Sequence, residues 1–132
     1  MSVPSAFVLS PECLDALHAA VPGRVLTSVE ACRPYECDGL SAYRKTPEVV
    51  VLPDMLDEVR AVLRVCSAHG VPVVARGAGT GLAGGALPVE GGVLLGMAKF
   101  NRILSLDPAN RTARVQPGVR NLAISEAAAA HG

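Results

Sequence analysis

Aromatic side chains are almost missing from this chain: it has no tryptophan, and Phe7, Tyr35, Tyr43 and Phe100 are its only large rings in 132 residues. Half the residues are still apolar, so Val, Leu and Ala must build the core, a composition that suits an α/β layered fold. An excess of charge of one sign is missing too. Twelve basic side chains balance twelve acidic ones, which leaves no overall field to hold nucleic acid or an anionic membrane surface. Long apolar runs are lacking, since stretches such as Val49 to Leu52 fall far short of the roughly 18 residues a bilayer span needs. No transmembrane segment is expected, and the N-terminus has no basic-then-apolar signal pattern. A cytoplasmic protein is the expectation. The length excludes a large self-contained enzyme: one domain or a little more can form, burying roughly two-thirds of the unfolded chain's surface.

The four cysteines, Cys13, Cys32, Cys37 and Cys66, contain no C-x-x-C. The C-x4-C of Cys32 and Cys37 lacks the third ligand two residues on that a plant-type iron–sulfur site shows. They read as free cytosolic thiols. His18, His69 and His131 form no ligand cluster and fall in or at the ends of expected helices, so no metal site is expected.

Along the chain, Ser10 can cap a first helix with Pro11 at its first position and Leu14, Leu17 and Val21 at helical spacing. Pro22-Gly23 stops it. From Arg24 to Thr46 turn formers are scattered, with a brief extended piece at Val25 to Thr27, so residues 1–46 read as an N-terminal helix and an irregular connector. Residues 47–132 read as the main unit. The β-branched run Val49 to Leu52 suits a strand buried on both faces. Asp54 then caps a helix whose stripe is Leu56, Val59, Val62, Leu63 and Cys66, closed by Gly70. Val71 to Ala75 follows as a parallel strand, making a β-α-β unit. Val93 to Met97 supplies a third strand. Ile103 to Leu106 and Thr112 to Gln116 are joined by a hairpin turn at Asp107-Pro108-Ala109-Asn110, and Asn121 to Ala130 forms a last, alanine-rich helix.

Arg76 to Gly85 carries five glycines in ten residues directly after a strand. Without Cβ atoms the backbone can turn through positive φ, aim successive N–H groups at one anion and let a pyrophosphate approach closely. Thr80 can add a hydroxyl donor and Arg76 a cationic edge. An ordinary turn needs one or two glycines, not five. Gly79 to Gly84 also satisfies G-x-G-x-x-G, but a nicotinamide-type fingerprint opens a helix and precedes an acidic residue, whereas Pro88, Gly91 and Gly92 follow here. No Gly-Lys-Ser/Thr occurs, which removes a P-loop. Asp38, Tyr35 and Tyr43 have no partner that makes an acid/base set and read as structural. Arg60, Arg64 and Lys99 read as solvated surface.

Several of these blocks together resemble a family. Tyr35 to Leu40 with Tyr43 and Arg44, Val49 to Pro53, Pro72 to Ala86, and Met97 to Leu104 are similar to the FAD-binding subunit of glycolate oxidase and its D-lactate dehydrogenase relatives. These belong to the flavoenzymes with the p-cresol methylhydroxylase-type FAD domain. The resemblance implies an α+β fold in which a small parallel β-α-β subdomain is joined to an antiparallel subdomain that only begins within this chain. It implies FAD as cofactor, with Arg76, Gly77, Ala78, Gly79, Thr80, Gly81 and Leu82 around its pyrophosphate and Gly118 nearby. Family members with covalent flavin at this loop present a histidine there; this loop has Thr80, which implies non-covalent FAD. The substrate would be a small 2-hydroxy acid, glycolate or D-lactate, with accessory flavin and iron–sulfur subunits as partners. The family's catalytic residues lie in its later domain, so no catalytic residue is assigned and the 132 residues alone are expected to be inactive. A family member with another substrate, or a stand-alone non-catalytic nucleotide-binding module, is the rival reading.

Overall fold

The computed structural model describes residues 9–132; Phe7 lies outside them. Its centre is the valine run. Strand β2 (Val49–Val51) is buried along its whole length, and successive side chains of a strand point to opposite faces. Val49 and Val51 accordingly join one apolar cluster and Val50 the other. Strand β4 (Val93–Gly96) repeats the pattern, with Val93 and Leu95 on the first side and Leu94 on the second.

Helices α1 (Pro11–Ala20) and α3 (Leu56–Ala68) cover the first face. Ser10 caps α1 as its sequence suggests, its Oγ accepting the Cys13 N–H at 3.2 Å, and Cys13, Leu17 and Val21 are fully buried against α3 and the sheet. The inward stripe of α3 is Val59, Val62, Val65 and Cys66. Leu56 and Leu63, expected on that stripe, lie on the exposed side instead, because the helical period fits two neighbouring stripes and the packing selects one. Asp54 does not cap α3 either. Met55 occupies the cap position, and the Asp54 carboxylate turns away to pair with Arg24 at 3.2 Å.

The connector is more ordered than its turn-rich sequence suggests. It contributes strand β1 (Val25–Leu26), which pairs antiparallel with β2, then the single turn α2 (Val29–Cys32), capped by Ser28 Oγ, and a 3-10 turn at Arg33–Tyr35. Cys32 and Tyr35 close over the second face of the sheet. Strand β3 (Val73–Arg76) is parallel to β2 but does not touch it. The order is β1-β2-β4-β3, so β4 inserts between the two strands of the β-α-β unit and pairs in parallel with both. The result is a mixed sheet with helices, an α+β arrangement.

A separate antiparallel hairpin follows, β5 (Ile103–Asp107) and β6 (Thr112–Val115). Asp107 fixes its turn by accepting from Asn110, at 3.1 Å from the backbone N–H and 2.7 Å from the side-chain amide. Helix α4 (Asn121–Ala128) ends the chain and runs on into a 3-10 turn at Ala129–His131. Among the described residues no helix is long and apolar enough to cross a membrane.

Candidate functional site

Strands β3 and β4 run side by side and finish together, with Arg76 opposite Gly96. In open parallel sheets, ligands collect outside the carboxyl ends of the strands, and three chain segments of this protein meet at that edge. The Met97 N–H donates to the Arg76 carbonyl at 2.8 Å, and the Gly118 N–H to the Phe100 carbonyl at 2.8 Å, which brings the loop between β6 and α4 against the loop after β4. Close approach explains two glycines. A Cβ on Gly118 would overlap the carbonyls of Met97 and Phe100, and one on Gly77 would lie 2.6 Å from the Pro117 carbonyl oxygen.

Between these segments lies a cleft of about 490 Å³. Arg76, Gly77 and Ala78 line it from β3, Gly96, Ala98 and Asn101 from β4, Gly118 to Arg120 and Ala123 from the approach to α4, and Tyr35 from the connector. Its charged lining is Arg76 and Arg120, without a carboxylate. Such a surface attracts anions.

Of the residues expected to hold a cofactor, Arg76, Gly77, Ala78 and Gly118 therefore converge on one cleft. Gly79, Thr80, Gly81 and Leu82 continue from it but are not in its lining. Leu82 is exposed and borders a second groove with Asp38, Leu40 and Tyr43. Gly79 and Gly84 have φ of +71° and +77°, a region that residues with a Cβ enter only at a cost. Among the described residues, the N–H groups from Gly77 to Ala83 find no acceptor. That leaves a run of backbone donors free, the property a phosphate cradle requires.

Sequence reasoning missed Asp38 as a neighbour of this loop. Asp38 is 6% exposed, and its Oδ2 accepts the Gly84 N–H at 2.8 Å while Oδ1 accepts the Leu40 N–H at 2.9 Å. The second bond is an Asx turn, which the Asp-Gly pair does signal in sequence; the first spans 46 positions and leaves no local trace. Tyr35, Asn101 and Arg120 were missed for the same reason.

Among the described residues, neither the thiols nor a metal-ligand cluster forms a second centre of chemistry. Burial pushes the Cys66 thiol up to about 11, and raises those of Cys13 and Cys32 as well, so these three are protonated packing groups and not thiolate nucleophiles. All four cysteines are unpaired, and among the described residues no three His, Cys, Asp or Glu side chains come together as a metal-binding group.

Comparison with known proteins assigns the architecture. Residues 47–132 match the family model described as FAD binding domain. The chain belongs to that family. Over 119 residues it is 61% identical to the glycolate oxidase subunit GlcD of Escherichia coli (strain K12), an alignment that covers 89% of this chain and 24% of that protein. It is 37% identical over 112 residues to a D-lactate dehydrogenase of Anaerostipes hadrus, covering 84% of this chain and 24% of the relative. The chain thus spans about a quarter of the length of these relatives. In fold it superposes on p-cresol methylhydroxylase with a TM-score of 0.77 at 24% identity, over 90% of this chain and 24% of that one. The FAD binding domain of this chain therefore has the p-cresol methylhydroxylase-type architecture expected from its motifs.

Proposed function

We propose that this chain forms the FAD pyrophosphate site of a flavin-dependent oxidoreductase that oxidises a small 2-hydroxy acid, glycolate or D-lactate. The observation that carries the reading is the run of N–H groups from Gly77 to Ala83 that find no acceptor among the described residues, leading out of a cleft whose charges are two arginines. Family membership and the names of the similar proteins, a glycolate oxidase subunit and a D-lactate dehydrogenase, support the reaction class. Bound FAD supplies the acceptor for the hydride that leaves the α-carbon of the acid.

The chain's own residues bind and orient. Gly77, Ala78, Gly79, Thr80, Gly81 and Leu82 offer backbone donors to phosphate oxygens, Thr80 adds a hydroxyl, and Arg76 stands at the cleft wall where the loop begins. Gly118 holds the opposite wall close. Attachment is non-covalent, since Thr80 stands where a flavin-linking histidine would be. A small 2-hydroxy acid is the substrate, and accessory flavin and iron–sulfur subunits are the partners; the assembly is cytoplasmic.

Gly79→Asp and Gly81→Asp in the full-length protein test the loop. A Cβ at Gly81 meets nothing within 4 Å, so Gly81→Asp adds a like charge beside the phosphates without a steric defect. Gly79→Asp adds strain at positive φ as well. Both variants should lose FAD, measured as flavin released into the supernatant on acid precipitation. Stoichiometric flavin in both would overturn the loop assignment, and yellow colour held in the washed wild-type pellet would overturn non-covalent attachment.

A further inference from the structure

The segment Tyr35 to Gly39 precedes residues 47–132, the stretch that matches the FAD binding domain model, and it grips the glycine loop from several directions. Arg76 reaches out of the end of β3 and donates from Nη1 to the Cys37 carbonyl at 2.6 Å, with its guanidinium carbon 5.7 Å from the centre of the Tyr35 ring. The same guanidinium lies against Gly79, so that a Cβ there would strike it. Asp38 takes the Gly84 N–H at 2.8 Å. The Gly39 N–H donates to the Gly81 carbonyl at 2.8 Å, and a Cβ on Gly39 would overlap the carbonyls of Thr80 and Gly81.

These ties share a pattern. They engage the Gly81 carbonyl, the Gly84 N–H and the side chain of Arg76, and they leave the N–H groups from Gly77 to Ala83 free. A loop this rich in glycine has more backbone freedom to lose than any other of its length, and among the described residues no hydrogen bond of its own N–H groups between 77 and 83 holds it. If only a fraction of the unliganded loops had the binding shape, affinity would fall by that fraction. The ordering must come from outside the loop. Tyr35, Cys37, Asp38 and Gly39 are the residues that supply it.

We propose that Tyr35 to Gly39 is a clamp that preorganises the glycine loop for the FAD pyrophosphate, with Asp38 and Arg76 as its positioning residues; this rests on the reading of the loop as the pyrophosphate site. Arg76 acts through its hold on Cys37, Tyr35 and Gly79. Asp38 contacts only backbone and shapes the loop from behind. The consequence is kinetic. Loosening the clamp lowers the population of binding-competent loops and slows association, whereas loss of a direct ligand contact speeds dissociation.

The test is stopped-flow and equilibrium binding of FAD and ADP to the flavin-depleted full-length protein, comparing wild type with Asp38→Asn, Arg76→Gln and Arg76→Lys. Asp38→Asn and Arg76→Gln should weaken FAD and ADP by a common factor of about ten, carried by slower association. Arg76→Lys, which keeps a cation and a donor for the Cys37 carbonyl, should recover most of it. The ratio of variant to wild-type Kd for Arg76→Gln should hold steady as salt rises, since a loop tie is not a screened phosphate contact. Unchanged association in the Asp38 and Arg76 variants, or a loss carried by faster dissociation, would overturn the clamp. A loss at Arg76 that fades with salt would make Arg76 a direct phosphate ligand and overturn its positioning role. The thermal midpoint of each flavin-depleted variant identifies any that fails to fold, and Arg76→Lys then carries the comparison. A wild-type protein that binds neither FAD nor ADP would overturn the pyrophosphate site itself, an outcome distinct from failure of the clamp.

Discussion

Glu58 shows how one residue can tie distant parts of this chain. It sits in the first turn of α3, is 8% exposed, and accepts from Arg24 at 2.6 Å and 3.0 Å in a bidentate pair. Its Oε2 also takes the Asp54 N–H at 2.9 Å, while Arg24 donates to the Leu52 carbonyl at 3.1 Å. The Arg24 guanidinium, helped by the Asp54 N–H, draws the Glu58 carboxyl down from its ordinary 4.5 to about 2. A carboxylate depressed in the folded state contributes its full stability above the unfolded value and loses it as pH falls toward the folded one. The contribution should therefore be complete above about pH 5 and vanish between there and about pH 2. Glu58→Gln should cost about 2–3 kcal/mol at neutral pH, at or below the range for fully buried pairs because Arg24 keeps some water. Urea midpoints at neutral pH and in that acid window check both points. A variant whose stability falls across the window as steeply as that of the wild type would show that another carboxylate governs the acid limb.

The elements differ in how far they could be read from sequence, and the reason is range. Helix α1 was legible because its cap, its proline and its spacing are all local. Strand β2 was legible because three consecutive valines buried on both faces have few other uses. The order β1-β2-β4-β3 was not legible, since it depends on which strand β4 finds, far along the chain from β2, and no local pattern encodes that. Neither was the stripe of α3. Leu56, Val59, Val62, Leu63 and Cys66 fit one helical face on paper, yet Val62 is fully buried while Leu63 is 45% exposed. That difference has a measurable consequence. Val62→Ala removes two methyls from a closed core between α3, α1 and the sheet and should cost about 2–3 kcal/mol, while Leu63→Ala should stay within about 0.5 kcal/mol, as surface changes usually do. Chemical denaturation of the two variants separates them. A Leu63→Ala loss equal to that of Val62→Ala would mean that α3 is rotated in solution.

At the scale of the whole molecule, a phosphate-binding loop was legible from a short block, Arg76 to Gly85, because its five glycines leave few other uses for so costly a sequence, while FAD and the family were legible only from the resemblance that this block carries together with Tyr35 to Leu40, Val49 to Pro53 and Met97 to Leu104. The rest of the site was not, since Tyr35, Asn101 and Arg120 reach it only through tertiary contacts. The hairpin of β5 and β6 is mostly solvent-exposed, with Leu104 at 50% exposure, and Leu122 of α4 is 67% exposed. The relatives are about four times as long, and the cleft offers loop donors and two arginines but only one aromatic side chain, Tyr35. Affinity for a large cofactor is the surplus left after ordering and association costs, so forfeiting contacts around the flavin ring should cost far more than their share of the area. The 132 residues by themselves should therefore bind FAD at least about a hundredfold more weakly than the full-length protein, which is about 2.8 kcal/mol at ambient temperature, and should turn over neither glycolate nor D-lactate. Titration by quenching of flavin fluorescence, with dye reduction assayed for both acids, decides it. Equal affinity in the two lengths would show that the cofactor's contacts are complete within residues 1–132, and turnover by the short chain would place the catalytic groups within those residues as well.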